Sequence, residues 1–554
     1  MLEKYLAKTS FTSHEDFMQN WKVLIPERFN FGYDVVDEYA RTHPDKLALL
    51  WVDDHGNEKR FTFADIKRYS DKAANAFKKH GVKKGDVVMM MLMRRYEYWF
   101  CIPALCKIGA IAIPATHLLT DKDISYRIDA ADVSFLLSVH KPELLEYINK
   151  AEQCVKKPFK KATLGAYDGF IDFSAELEAA SDIWDMPAEQ DMPDNGDPML
   201  IYFSSGTTGM PKMALHDFTY PLGQILTATE WHNVTQDGLH LTVADTGWAK
   251  AGWGKTYGQW IAGSAQFVYD MEKFEPLRLA EMVCKHRVTT FCAPPTIYRF
   301  LIKEDLSGLD FSALRYCTVA GEPLNPEVFN QFKRITGIEI KEGFGQSETT
   351  PLIGTFTFMK AVPGSIGMPS PQYEVELLNE NDEPCEVGEE GEVCICTKNG
   401  RPVGMFRGYY KDEALTKSVW YDGYYRLGDI AWRDENGYYW FVGRRDDVIK
   451  SSGYRIGPFE VESALLEHPA VLECAISAIP DPDRGQIVKA TVVLTKNYSP
   501  SNELVRELQQ HVKKTTAPYK YPRIVEFVEE LPKTVSGKIR RKQIREEDEQ
   551  RYKG

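Results

Sequence analysis

Short apolar runs alternate with segments in which apolar residues recur at helical spacing through the first part of the chain. Strands are predicted for the apolar runs and helices for the periodic segments. The strands fall at 47–52, 59–63, 87–93 and 110–114, and the helices at 63–80 and 97–109. Because strand and helix alternate, the pattern predicts an α/β architecture with a largely parallel sheet.

A smaller alternating unit follows near the end of the sequence. Its predicted helices are 458–467 and 501–515, and its predicted strands are 471–479, 487–494 and 524–528. These elements are enough for a small α+β domain. Gly443 and the charged residues after it interrupt two apolar runs. We therefore expect a large domain over 1–445 and a small domain over 446–554.

Composition narrows the class of protein. A chain of 554 residues is too long for one core, and 43% hydrophobic residues argue against disorder. A net charge of −13 disfavours binding to nucleic acid. The ten cysteines include no Cys-x-x-Cys pair, so we expect reduced thiols and no cysteine metal site. No apolar run reaches the length of a membrane helix, and the first twenty residues fit neither a secretory signal nor an Arg-rich transit peptide. A cytoplasmic location is the expectation.

The clearest chemistry lies in a loop between two predicted strands, 199–203 and 213–216. Glycines let backbone amides turn towards an anion, hydroxyls add donors, and a lysine adds a charge. This composition suits a triphosphate. A Walker A loop is excluded because Pro211 precedes Lys212, so the loop is hairpin-like and does not open a helix. The candidate phosphate-binding residues are Ser204, Ser205, Gly206, Thr207, Thr208, Gly209, Met210, Pro211 and Lys212.

The run 204–212 resembles the phosphate-binding signature of the AMP-forming adenylating enzymes, which include acyl-CoA synthetases, luciferases and the adenylation domains of peptide synthetases. The resemblance covers nearly the whole chain, and further motifs follow in the family's order. It implies a large α/β domain with mixed sheets, flanking helices and a small barrel-like part, and a small α+β domain on a hinge. It also implies ATP and coenzyme A as substrates, and Mg²⁺.

Further nucleotide-binding residues are implied by motifs similar to those of the family. The adenine-facing turn would be Gly321, Glu322 and Pro323. The next motif runs Glu342, Gly343, Phe344, Gly345, Gln346 and Ser347, with Phe344 stacking on adenine and Ser347 near the α-phosphate. Glu348, which follows, is a hard oxygen ligand suited to Mg²⁺. Asp429 would accept hydrogen bonds from the ribose hydroxyls, and Arg444 would contact the ribose.

The resemblance also implies a moving domain. Asp446 would be the hinge, and Arg455 would meet the nucleotide phosphate. Lys538, in a final Pro-Lys-Thr-x-Ser-Gly-Lys motif, would be the catalytic lysine that bridges the attacking carboxylate and the α-phosphate. Among the family's branches the chain looks closest to the medium-chain acyl-CoA synthetases. From that branch the coenzyme A site would comprise Ser452, Gly453, Tyr454, Arg484, Lys513, Tyr521, Pro522 and Arg523.

The acid substrate is expected to be larger than acetate. Acetate-specific members of the family place a bulky tryptophan at the position of Gly345, so glycine removes that wall of the acyl pocket. Trp248 is the candidate for another wall. Trp253 is a second candidate, for which an ordinary core role is preferred.

The expected activity is therefore an acid–thiol ligase that acts on small molecules, as a monomer or homodimer. Three alternatives remain. The acceptor could be a carrier protein instead of coenzyme A, the enzyme could be a luciferase-like oxidative member, or the chain could be a non-catalytic nucleotide-binding homologue. Release of pyrophosphate that depends on the acid and on coenzyme A separates the first expectation from these.

Overall fold

The structure is a computed structural model that describes residues 1–204, 210–452, 454–533 and 538–552. The strands, in chain order, are β1 Leu47–Asp53, β2 Glu58–Thr62, β3 Val87–Met91, β4 Ile111–Pro114, β5 Val133–Ser138, β6 Lys160–Thr163, β7 Ile171–Asp172, β8 Pro198–Ser204, β9 Lys212–Asp217, β10 Leu239–Thr242, β11 Ala265–Asp270, β12 Thr290–Ala293, β13 Tyr316–Ala320, β14 Ile340–Phe344, β15 Ile353–Gly354, β16 Met368–Pro369, β17 Glu374–Leu378, β18 Gly391–Cys396, β19 Trp420–Tyr421, β20 Tyr424–Arg433, β21 Tyr439–Arg444, β22 Ile449–Ser451, β23 Tyr454–Ile456, β24 Val471–Asp481, β25 Gly485–Leu494 and β26 Ile524–Val528.

The α-helices, in chain order, are α1 His14–Asn20, α2 Glu38–Thr42, α3 Phe63–Lys79, α4 Glu97–Ile108, α5 Asp121–Ala131, α6 Pro142–Glu152, α7 Phe173–Ala179, α8 Tyr220–Leu226, α9 Ala249–Gly254, α10 Tyr257–Ile261, α11 Pro276–Lys285, α12 Pro295–Leu301, α13 Pro326–Thr336, α14 Glu413–Val419, α15 Pro458–Leu466, α16 Asn502–Thr515 and α17 Arg541–Tyr552. Two π-helical segments, Phe31–Asp37 and Thr227–Trp231, lead into α2 and follow α8.

Two large sheets form the body of the first domain. One has nine strands in the order β16-β15-β14-β13-β12-β10-β11-β1-β2, and the other has seven in the order β7-β6-β5-β3-β4-β8-β9. From β14 to β1 the first sheet is parallel, and antiparallel strands close it on both sides. All five residues of β13 are buried, as expected for a parallel strand covered on both faces.

The carboxyl ends of β10, β12, β13 and β14 lie side by side at one edge of the nine-stranded sheet. Ligands of open α/β sheets bind at this edge. A third, antiparallel sheet follows in the order β17-β18-β20-β19, with β21 beside β20, and corresponds to the expected barrel-like part. The expected fold class of the large domain is confirmed.

The small domain is built on a fourth sheet, in the order β23-β22-β25-β24 with β26 parallel to β25. Helices α15 and α16 cover it through a compact apolar core that includes Ile449, Leu465 and Leu508, all fully buried. The chain passes from β21 in the third sheet to β22 in the fourth, and the predicted division at 445/446 falls between these strands. Among the described residues, no helix combines the length and the apolarity that a bilayer crossing requires.

Candidate active site

The predicted hairpin is present. Strands β8 and β9 pair antiparallel, with Ser204 opposite Lys212 at its open end. Met210 is 59% exposed beside it, and the carbonyl oxygen of Pro211 accepts a hydrogen bond from the hydroxyl of Tyr126 at 3.1 Å. The remaining predicted loop residues lie outside the described residues: Ser205, Gly206, Thr207, Thr208 and Gly209.

Glu348 is a buried carboxylate beside the end of this hairpin. Its Oε1 atom accepts a hydrogen bond from the hydroxyl of Tyr409 at 2.9 Å. The ammonium of Lys212 lies 5.3 Å from the centroid of the same tyrosine ring. Burial raises the pKa of Glu348, while the Tyr409 hydroxyl and the charges of Lys212 and Arg444 act in the opposite direction. One acidic and two basic groups that the sequence singled out therefore share one site.

Asp429 is held by two of the other predicted residues. Its Oδ2 atom accepts from Gln346 Nε2 at 2.7 Å, and its Oδ1 atom accepts from Arg444 Nη1 at 3.1 Å. Both donors also bond to the carbonyl oxygen of Leu427, at 2.9 and 3.1 Å. Burial raises the pKa of Asp429, and the charges of Arg444 and Lys538 oppose that rise. The carboxylate is fixed in orientation and keeps lone pairs to accept further hydrogen bonds.

The turn after β13 carries the expected adenine-facing residues. Gly321 has a φ of +109°, a conformation that favours glycine, and Glu322 and Pro323 follow it half-buried. The amide of Leu324, the residue after Pro323, donates to Glu342 Oε1 at 3.0 Å. Burial raises the pKa of Glu342 to about 8, although the amide of Leu324 acts against the rise. Glu342 therefore holds the end of the turn through this hydrogen bond, and its carboxyl group is away from solvent.

The ring of Phe344 is half-buried at the end of β14, 6.0 Å from the ring of Phe441. The carbonyl oxygen of Ser347 lies 2.8 Å from His216 Nε2, a contact in which the imidazole donates. Burial lowers the pKa of His216 to about 4, so the ring is neutral near pH 7. A neutral imidazole from β9 thus ties the 344–348 segment to the hairpin.

The space beside Gly345 is occupied. A Cβ atom at this position would lie 2.8 Å from Cη2 of Trp253 and 2.7 Å from the carbonyl oxygen of Thr350. The indole Nε1 of Trp253 donates to the carbonyl oxygen of Thr349 at 3.1 Å, which fixes the ring. Trp253 is only 6% exposed. Because Gly345 has no side chain, the indole of Trp253 fits beside it. An ordinary core role was expected for Trp253, and this contact with Gly345 was not predicted.

A second tryptophan stands behind the first. The rings of Trp231 and Trp253 meet edge to face with centroids 5.9 Å apart. A Cβ atom on Gly343 would lie 2.4 Å from Cε2 of Trp231, so only glycine fits there. Trp248, the predicted pocket residue, is half-buried and precedes α9. Its place in an acyl pocket stays a prediction.

Lys538 interacts electrostatically with groups of this site. Its positive charge lowers the pKa of Asp429, although burial prevails there, and it also adds to the lowering of the pKa of Lys250 by burial. Lys250 is inside the site, where its ammonium donates to the carbonyl oxygen of Ala320 at 2.8 Å. Part of the predicted motif, 534–537, lies outside the described residues.

Helix α17, far from the hinge in sequence, contacts the hinge region through one arginine. Arg545, on α17, forms an ion pair with Asp447, and its Nη2 atom lies 4.0 Å from Oδ2 of the predicted hinge residue Asp446. Arg455 pairs with a residue outside the site: its Nη1 atom lies 2.8 Å from Oε1 of Glu380, in the turn that follows β17. In this arrangement Arg455 does not join Asp429 and Glu348.

The predicted coenzyme A residues give the small domain an aromatic and basic face, in which Ser452, Tyr454 and Arg484 are exposed, Lys513, Tyr521 and Arg523 are half-buried and Pro522 is buried. Tyr454 stacks on Tyr519 with ring centroids 4.1 Å apart, and Lys513 lies 3.9 Å from the ring centroid of Tyr521. The other contacts are Arg484 Nη1 to Ser452 Oγ at 3.1 Å, Arg523 Nη1 to the Tyr521 hydroxyl at 2.8 Å, and Gln509 Nε2 to the Pro522 carbonyl oxygen at 3.0 Å. Gly453 lies outside the described residues.

Sequence reasoning missed several residues of the site. Tyr409 bonds Glu348, and Tyr425 donates to Gln346 Oε1 at 2.9 Å, which orients the amide so that its nitrogen faces Asp429. Tyr425 lies four residues before Asp429, so the neighbourhood of that motif was a usable signal. Tyr409 and Lys250 belong to none of the motifs named from the sequence.

Comparisons with known proteins agree with this geometry. A family model described as AMP-binding enzyme matches residues 36–410, and one described as AMP-binding enzyme C-terminal domain matches residues 460–538. Acyl-coenzyme A synthetase ACSM3, mitochondrial, of Mus musculus is 39% identical over 97% of this chain and 94% of its own length. The chain therefore belongs to the AMP-binding enzyme family and, within it, to the AMP-forming acyl-CoA synthetases.

Solved structures agree on the fold. The crystal structure of the anthranilate CoA ligase AuaEII in complex with anthranoyl-AMP matches with a TM-score of 0.87 at 26% identity, covering 96% of this chain and 99% of that chain. The Brucella canis acyl-CoA synthetase matches with a TM-score of 0.71 at 31% identity, covering 95% of each chain. The resemblance stated from the sequence is confirmed, and so is the expected class of enzyme.

The expected cytoplasmic location is wrong. The ACSM relatives are named as mitochondrial proteins, at 38 to 40% identity over 95 to 97% of this chain. The physical reason is that a targeting signal is recognised by a receptor and is not a property of the folded protein. Composition and the lack of an Arg-rich start were therefore insufficient grounds.

Proposed function

We propose that this protein joins a carboxylic acid larger than acetate to coenzyme A, with ATP cleaved to AMP and pyrophosphate through an acyl-adenylate. The observation that carries the proposal is that Glu348, Lys212, Asp429 and Arg444 share one site on which the charge of Lys538 also acts. Oriented charges of this kind suit a reaction in which positioning and charge neutralisation do the catalysis. A side-chain nucleophile is not needed.

The nucleotide would lie along the carboxyl edge of the nine-stranded sheet. Asp429 would accept from the ribose hydroxyls, because Gln346 and Arg444 already hold its carboxylate in one orientation. Phe344 would stack on the adenine, which the turn at Gly321 would border. The phosphates would extend towards the hairpin end at Lys212.

Mg²⁺ fits the residues present as part of an Mg·ATP complex. The buried carboxylate of Glu348 shares the Tyr409 side chain with Lys212 at the end of the hairpin, and Mg²⁺ is usually held by one or two carboxylates together with substrate phosphates and waters. The bound ion would neutralise phosphate charge. The hydroxyl of Tyr409 would keep Glu348 oriented.

In the first step the carboxylate attacks the α-phosphate, the bond between the α- and β-phosphates breaks, and pyrophosphate leaves. Two anions approach each other, so a positive charge between them lowers the barrier. Lys538 would supply that charge. The effect of the Lys538 charge on Asp429 and Lys250 supports the view that this arrangement of domains is the one for adenylation.

In the second step the thiol of coenzyme A attacks the acyl carbonyl, and AMP leaves. We propose that the small domain, 446–554, turns about Asp446 against the large domain, 1–445, before this step. Arg455 would then leave Glu380 and approach the nucleotide phosphate. The aromatic and basic face around Tyr454 would carry coenzyme A, whose phosphates suit basic partners.

The acid would lie against Trp253. The indole occupies the space next to Gly345, so the pocket is bounded there by a ring and not open to indefinite length. The indole therefore limits the length or branching of the acid at this point, and a size above acetate rests on the resemblance to the medium-chain acyl-CoA synthetases. Each buried methylene contributes about 0.8 kcal/mol, so the limit should be visible as a sharp optimum in a series of acids.

The first test measures AMP and pyrophosphate release from ATP over carboxylates from acetate to octanoate, branched acids and benzoate, with and without coenzyme A. Turnover that requires both acid and coenzyme A supports the proposal. Pyrophosphate release that coenzyme A leaves unchanged would point to another acceptor, such as a carrier protein, and nucleotide binding without pyrophosphate release would point to a non-catalytic homologue.

The second test separates the two steps. Lys538→Ala should impair formation of the adenylate strongly and leave thioester formation from a supplied acyl-adenylate nearly unchanged. Lys542→Ala is the matched control, because Lys542 pairs only at 3.7 Å with Glu546 on its own helix. Equal loss of both steps in Lys538→Ala would contradict the role proposed for this lysine.

A further inference from the structure

The segment that carries Lys538 is fastened to the small domain at both ends. Lys533 and Ile539 form an antiparallel bridge, and the amide of Arg540 donates to the carbonyl oxygen of Pro532 at 2.8 Å. Ile539 packs on a small apolar cluster that includes Leu531. These contacts fix the base of the segment, but none of them fixes its direction relative to the large domain.

One ion pair lies next to this base. Arg541, three residues after Lys538, donates from Nη2 to Glu462 Oε2 at 2.8 Å and from Nε to Glu462 Oε1 at 3.1 Å. Glu462 is 6% exposed, and its Oε1 atom also accepts from the amide of Ile476 at 2.9 Å. A two-point contact between a guanidinium and a buried carboxylate fixes both direction and distance.

Glu462 also lies where the two domains meet. The carbonyl oxygen of its neighbour Ser463 accepts a hydrogen bond at 3.1 Å from the side-chain amide of Asn325, in the large domain. Asn325 caps α13 and follows the adenine-facing turn by two residues. A path of direct contacts therefore leads from the large domain through α15 to Arg541, and from there along the backbone to Lys538.

The surroundings of Arg541 agree with this path. Burial by itself lowers the pKa of this guanidinium, but the charges of Glu462, of Asp447 at the hinge and of Glu322 in the adenine-facing turn outweigh burial and raise it. The guanidinium thus contacts α15 through Glu462 and is also stabilised by the charges of Asp447 and Glu322.

We infer that Arg541 and Glu462 are positioning residues for adenylation, which hold Lys538 in line with the nucleotide while the small domain is docked. The inference rests on the proposed function, in which Lys538 acts only in the first step. A pair that only stabilised the small domain would affect both steps alike, since coenzyme A binds to the same domain in the proposal.

The experiment measures the two half-reactions separately in the full-length protein: pyrophosphate–ATP exchange driven by the acid, and thioester formation from a synthetic acyl-adenylate and coenzyme A. Arg541→Gln and Glu462→Gln should each slow exchange by about 10- to 100-fold, the size expected for a misplacement near 1 Å. Thioester formation should stay within about threefold of the parent. The double variant should lose no more than either single variant, because both remove the same contact.

Arg551→Gln is the matched control. Arg551 lies on the same helix, pairs with Glu526 and is 57% exposed, so its loss should change neither half-reaction. Arg541→Lys keeps the charge but not the two-point contact, and exchange should recover only in part. If the glutamine variants fold poorly, Arg541→Lys and Glu462→Asp carry the same comparison.

Equal losses in both half-reactions, or no loss of exchange, would overturn the inference. These outcomes differ from failure of the proposed function. If Lys538→Ala itself exchanges pyrophosphate normally, the role of Lys538 is wrong. If Lys538→Ala is impaired and the Arg541 and Glu462 variants exchange normally, only the positioning role is wrong.

Discussion

Shortening Trp253 should lengthen the acid that the enzyme prefers. In Trp253→Leu the ring atom that lies 2.8 Å from the Cβ position of residue 345 is removed, and the wall beside Gly345 recedes. If about two further methylenes of substrate fill the space, at about 0.8 kcal/mol each, kcat/KM for the longer acid should rise about 15-fold relative to the parent optimum.

The substitution also has a cost in stability. Trp253 is 6% exposed, and its indole bonds the carbonyl oxygen of Thr349, which Leu leaves unpaired. A large-to-small change in a core costs about 2 to 5 kcal/mol. The matched control is Trp260→Leu, since Trp260 is fully buried and its Nε1 donates in the same way to the carbonyl oxygen of Ala48 at 3.0 Å.

The assay is kcat/KM for straight-chain acids from acetate to octanoate at saturating ATP and coenzyme A, for the parent and both variants. The expected result is a shifted optimum in Trp253→Leu and an unshifted profile in Trp260→Leu. Identical profiles in the two variants would refute the reasoning, because the loss would then reflect a weakened core and not a changed pocket.

Three further predictions concern the nucleotide side of the site. Asp429→Asn should raise the KM for ATP about 10- to 100-fold, because one ribose acceptor is lost and Arg444 loses its buried charge partner, and steady-state kinetics with ATP varied checks this. Gly343→Ala should destabilise the fold by about 1 to 3 kcal/mol in urea unfolding, since its Cβ would overlap Trp231, and an unchanged midpoint would contradict the geometry. Glu342, with its pKa raised to about 8 by burial, should contribute stability that is complete below the unfolded pKa near 4.5 and is lost as the pH rises through about 8. Glu342→Gln should therefore flatten the fall in stability between about pH 4.5 and about pH 8, and a parallel curve would refute the assignment.

Patterns of apolar residues within one strand or helix were enough to predict that element of the fold. The apolar runs on either side of the hydroxyl-rich loop do pair as β8 and β9, and helices α15 and α16 of the small domain begin and end within a few residues of the prediction, whereas α17 was not predicted. Asp429, Gln346 and Arg444 were each identified by a short motif, and the structure brings them together across a separation of 83 residues between Gln346 and Asp429.

The contacts that complete the site could not be predicted in the same way. Tyr409 meets Glu348 across 61 residues, and neither flanks the other in any motif. Trp253, on α9, lies beside Gly345, which follows β14, and a single tryptophan in a sequence does not reveal its neighbours. The partner of Arg455 depends on the arrangement of the domains, and an arrangement that is expected to change cannot be read from residue types alone.

The ion pair between Arg545 and Asp447 at the hinge has a consequence for exchanging domains between adenylating enzymes. Arg545 lies 98 residues beyond Asp447, so the bracing of the hinge is encoded far from the hinge itself. A chimaera joined after Asp447 would take the acidic pair from one parent and the arginine from the other. A chimaera joined before Asp446 would inherit all three together, and the stiffness of the hinge would be transferred with the donor domain.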